Sequence, residues 1–197
     1  MFIDTPAATA ATSALYEGNA KSQGFVMNLT RAWAWRPDVY EGFTALRNQL
    51  TSQSTLSKRE QAVIVCATAA ELGDSYCSLA WGKTLAQEAG ADAATAVIGG
   101  KENETLAVRD RALARWARQV VADPNATGQA DVDLLREAGF SDREIFEATV
   151  FIAFRLAFST VNDALGIAPD WQVAAAVPAQ VRESVNFGRS PEVAPGG

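Results

Sequence analysis

Leu56-Ser57-Lys58-Arg59-Glu60-Gln61-Ala62-Val63-Ile64-Val65-Cys66-Ala67-Thr68-Ala69-Ala70-Glu71-Leu72-Gly73-Asp74-Ser75-Tyr76-Cys77 is the stretch that decides the fold class. Ser57 followed three residues later by Glu60 is a capping box, in which each side chain satisfies an orphan N–H of a first helical turn. Val63, Ile64, Ala67, Ala70 and Leu72 then recur at helical spacing, and no Gly or Pro interrupts before Gly73. Asp74 opens a second helix, expected to run to about Glu88 and to stop at Gly90.

The same signals extend outward. Asp92 to Ile98 is a short helical piece stopped by Gly99-Gly100, and Thr105 to Val121 reads as a long amphipathic helix ended at Asp123-Pro124. Gln129 to Ala138 is a short helix closed by Gly139. Ser141 and Glu144 form a second capping box, opening a helix to Leu165 with Gly166 at its end. Ala7 to Asn19 and Val39 to Gln53 also read as helices, joined by a connector from Phe25 to Leu29. No useful stretch alternates with period two, so the expectation is an all-α domain of about six to nine helices over residues 1–189. Residues 190–197 form a flexible Pro/Gly tail. The two boxes, Leu56-Ser57-Lys58-Arg59-Glu60 and Phe140-Ser141-Asp142-Arg143-Glu144, echo each other. A duplicated helical unit produces such an echo, and so do two unrelated well-capped helices.

Composition narrows the chemistry. The chain has 197 residues, 48% of them hydrophobic, with 17 Lys and Arg against 23 Asp and Glu. A charge of −6 and a pI near 4.7 argue against nucleic acid as a partner, since phosphate binding needs clustered cations. There is no His, which removes Ser-His-Asp and Cys-His catalysis, HExxH zinc sites and imidazole proton shuttles. Two Cys cannot build a disulfide framework or a four-ligand zinc site. The start carries no secretory pattern, and the most apolar run, Val150 to Phe158, is broken by Arg155 and far shorter than the ~20 residues that span a bilayer. A cytoplasmic location with reduced thiols and no membrane contact is the default expectation.

The helix from Glu144 to Leu165 is apolar nearly all round between Ala148 and Phe158, so it must be buried on every side, in part by a second subunit. Arg155 sits inside that run. It reads either as a salt-bridged residue whose stem packs, or as an anchor for an anion or substrate.

The order of landmarks resembles the carboxymuconolactone decarboxylase superfamily, and within it the alkylhydroperoxidase (AhpD)-like, peroxidase-related branch. The landmarks are Gly24-Phe25-Val26, Arg36-Pro37, Leu56 to Glu60, Gly73 to Cys77, Leu135 to Ile145, and Val161-Asn162-Asp163-Ala164-Leu165-Gly166. They cover roughly residues 15 to 185. The resemblance implies a helical homo-oligomer with an antioxidant role, a hydroperoxide as substrate, a thiol as reductant and no cofactor. Active members carry an acid, a Cys-x-x-Cys and a His. Placed by the Leu-Ser-Lys-Arg-Glu anchor, those positions fall on Ala62, Asp74, Cys77 and Trp81, so three of the four groups are absent. The fold transfers; the disulfide and the proton relay cannot be assembled there.

The surviving residues have their own physics. Asp74, Cys77 and Trp81 share one helical face. Cys77 lies in a first turn, where the helix dipole lowers a thiol pKa, while Asp74 one turn away raises it. Asp74 is an N-cap or a catalytic acid; Trp81 is core packing or a substrate platform; Cys77 is a buried hydrophobe or a reactive thiol. Cys66, four residues after Ala62, is the one candidate for a displaced dithiol with Cys77, provided the Cα atoms approach within about 7 Å. Gly99-Gly100-Lys101 lacks the P-loop frame. Glu60, Glu71 and Asp74 show no metal-ligand spacing, and Glu60 is already used as a cap. Three functions remain open: single-cysteine peroxide reduction at Cys77, a small-ligand-binding or structural oligomer without chemistry, and a non-redox reaction using Asp74 and Arg155.

Overall fold

A computed structural model describes residues 1–101 and 104–196. Three helices, α1 (Ala10–Gln23), α2 (Asn28–Trp33) and α3 (Pro37–Ser52), precede the pair α4 (Lys58–Leu72) and α5 (Ser75–Ala89). Then follow α6 (Ala91–Ile98), α7 (Val108–Ala122), α8 (Gln129–Glu137), α9 (Asp142–Ala164), α10 (Trp171–Ala175) and α11 (Ala179–Ser184). A 3-10 turn, Pro124–Ala126, links α7 to α8, and no strand occurs among the described residues. The all-α expectation holds. The eleven α-helices among the described residues exceed the six to nine expected, because α2, α10 and α11 are too short to show a period. The connector expected from Phe25 to Leu29 runs into α2.

Both capping boxes form. Ser57 Oγ accepts from Glu60 N at 3.2 Å while Glu60 Oε2 accepts from Ser57 N at 2.8 Å, and Ser141 and Glu144 repeat the arrangement at 3.3 and 2.7 Å. Arg109 of α7 joins them. Its Nε donates to Glu60 Oε1 at 2.7 Å, its Nη2 to Glu144 Oε1 at 2.8 Å and its Nη1 to Gly139 O at 2.6 Å, with the guanidinium 3.7 Å over the Phe140 ring. One cation thus pins the starts of α4 and α9 side by side.

Within the single chain the helix enclosed on all sides is α4. Every residue from Glu60 to Ala69 is buried, and α5, α6, α7 and α9 pack around it. Small side chains (Ala62, Ala67, Ala69, Cys66, Thr68) let those neighbours approach closely, which is how so short a helix is wrapped. In the single chain α9 buries one face, with Ile145, Ala148, Phe151, Ile152, Phe154, Arg155, Ser159 and Asn162, and leaves Phe146 69% exposed. Among the described residues no helix is long and apolar enough to cross a membrane.

The first three helices lie over the α5–α9 seam. Trp33 stacks on Phe158 with centroids 5.2 Å apart and donates through Nε1 to Asn162 Oδ1 at 2.8 Å. On the opposite side Gly82 lets α5 approach α11 and α6: a Cβ there would meet Val181 Cγ1 at 3.0 Å and Ile98 Cδ1 at 3.2 Å. The segment after α11 returns across the α4–α5 turn. Gly188, with φ +69, lies so close that a Cβ would sit 2.3 Å from Gly73 O, and Ser75 Oγ donates to Arg189 O at 2.7 Å. Further along, Glu192 N donates to Pro169 O at 2.9 Å. Gly197, the last residue of the expected 190–197 tail, lies outside the described residues.

Candidate active site

The turn between α4 and α5 sets the site. Gly73 adopts φ 75, which brings its own N–H and that of Asp74 back to the carbonyls of Ala70 and Ala69. Asp74 is the N-cap of α5, its Oδ1 accepting from Cys77 N at 2.9 Å. Cys77 is therefore held in the first turn, as its spacing from Gly73 implies. It is buried yet lines a cavity of about 530 Å³ between α5, α9 and the overlying α1 and α3.

Arg155 enters from α9. Its Nη2 donates to Cys77 Sγ at 2.8 Å, and Ser159, one turn further, donates through Oγ to the same sulfur at 3.7 Å. The guanidinium also lies 5.1 Å from the Phe158 ring centroid and 5.9 Å from that of Trp81. No carboxylate pairs with Arg155 in any ion pair of the described residues, so the salt-bridged reading of this residue is replaced. Its Nε is buried without a partner.

Burial raises the Cys77 thiol pKa above its ordinary value. The Asp74 carboxylate raises it further, and Arg155 opposes both. The competition between helix dipole and carboxylate that the sequence leaves open is thus settled upward, by desolvation. The resting sulfur is a thiol at neutral pH. Asp74 Oδ2 is buried with no partner, and its charge reaches Asp163 on α9, whose pKa is pushed up to about 7 by burial and then by Asp74, against Arg189.

Of the residues singled out in the sequence, Asp74, Cys77, Trp81 and Arg155 come together. Trp81 lines the cavity and meets the edge of Phe151, with centroids 6.4 Å apart. Cys66 does not line it. That residue lies in the wrapped middle of α4, and both cysteines are unbridged thiols. Burial raises the Cys66 pKa as well, with Arg155 and Arg118 acting against it. Ser159 and Asp163 escaped the sequence reading. The only available signal was their spacing from Arg155 on one helix, which is uninformative until the facing helix is known. A larger polar groove of about 660 Å³, walled by Glu71, Lys101 and Arg118 among others, contains neither cysteine nor Arg155 and has no comparable chemistry.

The chain matches no family model and no curated protein. Solved structures do match it. A peroxidase-related protein from Silicibacter sp. TM1040 is 24% identical, with 87% of this chain and 93% of that one covered at TM-score 0.76. An alkylhydroperoxidase AhpD core, a peroxidase-related protein from Ralstonia eutropha JMP134, is 25% identical, with 97% of each chain covered at TM-score 0.77. A debrominase, Bmp8, solved as a cysteine-to-alanine variant with 2,3,4-tribromopyrrole, is 15% identical at TM-score 0.69, with 92% of this chain and 95% of that one covered. With its turn-bound thiol at the start of α5, the chain shares the helical fold of the AhpD-like, peroxidase-related structures it matches.

Proposed function

We propose that the protein reduces an organic hydroperoxide with a single cysteine, Cys77, and an external thiol as reductant. The observation that carries this reading is the placement of Cys77 Sγ on the wall of an aromatic-lined cavity, 2.8 Å from a buried guanidinium. The Cys77 sulfur attacks the distal oxygen of R–O–O–H, the O–O bond breaks, and the thiol proton ends on the departing oxygen as ROH. Cys77 is left as a sulfenic acid. Arg155 faces both the sulfur as it loses its proton and the alkoxide as it leaves, so it stabilises the charge that develops in each. A reductant thiol then condenses with the sulfenic acid, releasing water and forming a mixed disulfide. A second thiol frees Cys77. Asp74 acts through the backbone by capping the turn that holds the sulfur. Because the sulfur begins as a thiol, the reactive thiolate is a small fraction at neutral pH and turnover should rise with pH.

Peroxide-dependent oxidation of dithiothreitol, with sulfenic acid trapped by dimedone, tests this. Cys77→Ser should abolish both signals, and equal turnover by parent and variant would refute the proposal. Counting thiols after peroxide treatment without reductant addresses Cys66: one surviving thiol together with a dimedone adduct excludes a Cys66–Cys77 disulfide, and two surviving thiols would refute oxidation of Cys77 altogether.

The raised thiol pKa and the missing relay groups favour a second reading, a ligand-binding protein that kept the cavity and lost the chemistry. No turnover by the parent, together with saturable ligand binding, would select it. In either case the exposed Phe146 on α9 marks the face on which a second copy would pack. A cytoplasmic setting would supply the reducing thiol. Light scattering reads the first inference and fractionation the second.

A further inference from the structure

The charge of Arg155 is unaccounted for. The side chain is only 4% exposed, no acid pairs with it among the described residues, and its Nε has no hydrogen-bond partner. Its one polar contact with the cavity is a neutral thiol, which cancels no charge. Asp74, the carboxylate beyond Cys77, is fully buried, is committed by one oxygen to the α5 backbone and is absent from the cavity wall. A molecule in the cavity therefore meets a desolvated cation without meeting that acid. Desolvated guanidinium groups are stable where an anion completes them.

The rest of the wall states what the anion is attached to. Trp81 and Phe158 face the guanidinium, and Phe43 and Phe154, 5.4 Å apart, continue the aromatic surface. Arg47 and the exposed Glu41 also line the cavity, and Arg47 enters no ion pair among the described residues. A volume of about 530 Å³ suits a molecule of one or two rings. Arg155 is the buried cation of this wall, and the flat two-pronged edge of its guanidinium matches a planar carboxylate.

We propose that this cavity selects aromatic carboxylates, with the carboxylate on Arg155 and the ring against Trp81 and Phe158. The inference rests on the reading of the cavity as the substrate site, and it names the class of molecule that site takes, an aromatic acid carrying the hydroperoxide.

Calorimetric titration of the Cys77→Ser protein with benzoate and 2-naphthoate, against benzamide and 2-naphthamide, reads binding without any peroxide. The acids should bind at least about 10-fold more tightly than the matching amides. Arg155→Gln should remove that preference, and Arg155→Lys should retain part of it. Equal affinity for acid and amide, acid binding undiminished in Arg155→Gln, or no saturable acid binding at all would each overturn the proposal. Should Arg155→Gln fail to fold, the acid–amide comparison in the folded protein decides alone. Loss of peroxide turnover with acid selectivity intact would remove only the redox chemistry. Turnover without selectivity would remove only the present inference.

Discussion

Gly188→Ala tests how the segment after α11 is attached to the active-site turn. Two costs add at this position. The backbone has φ +69, where an L-residue loses roughly 1–2 kcal/mol. The new Cβ would also sit 2.3 Å from Gly73 O and 3.0 Å from Ser75 N, so the segment or the turn must move by about 1 Å, and overpacking of this kind costs about 1–3 kcal/mol. The expected loss is ~3 kcal/mol. Gly24→Ala is the matched control, because Gly24 has φ +84 and open space around it, leaving only the conformational cost of roughly 1 kcal/mol. Thermal unfolding followed by circular dichroism should lower Tm by about 6–12 °C for Gly188→Ala and about 2–4 °C for Gly24→Ala. Urea midpoints at unchanged m-value provide the second readout. Should the two variants lie within about 0.5 kcal/mol of each other, the segment does not press on the turn and this account of the close approach is wrong.

Three further outcomes follow from the same geometry. Arg109→Met should cost about 1–2 kcal/mol in urea unfolding, charged hydrogen bonds being discounted for partial solvent exposure, and a double-mutant cycle with Glu144→Gln should show non-additivity. Asp163, with its pKa near 7 against an ordinary 3.8, contributes stability that is whole below pH 3.8 and is lost as pH rises through 7. Asp163→Asn should therefore flatten the decline of stability between pH 4 and 8 and raise stability at pH 8 by on the order of 2 kcal/mol. Cys77 should alkylate slowly with iodoacetamide at pH 7, its rate still climbing beyond pH 9 without a plateau, whereas Cys66 should label only on unfolding. A plateau near pH 7 in the folded protein would contradict the upward shift.

The parts of the fold legible in the sequence are those with local causes. The boundaries of α4, α5 and α9 follow from Ser57, Glu60, Gly73, Asp74, Ser141 and Glu144, each of which acts within one turn of its own position. By contrast α2 has no side-chain cap of its own, and the Asn28 N–H at its start is satisfied by Asp170 Oδ1 from far along the chain. No window of sequence contains that bond. The site divides the same way. Cys77, Asp74 and Trp81 share a helix and a spacing, so their common face could be read directly. That Arg155 meets Cys77 depends on how α9 lies against α5, a fact of packing. The cover of α9 is a related matter: an apolar circumference says that a helix wants cover, not which neighbour supplies it.

The clip at Arg109 has a mechanical consequence. From Glu144 to Arg155 the helix rises by about 16 Å, so the pinned end of α9 acts as a pivot and the guanidinium rides on a lever of that length. A tilt of only about 5° about the pivot swings Arg155 by roughly 1.4 Å, enough to part it from the sulfur. A substitution at the far end of the molecule, with no atom near the cavity, can in this way detune the thiol.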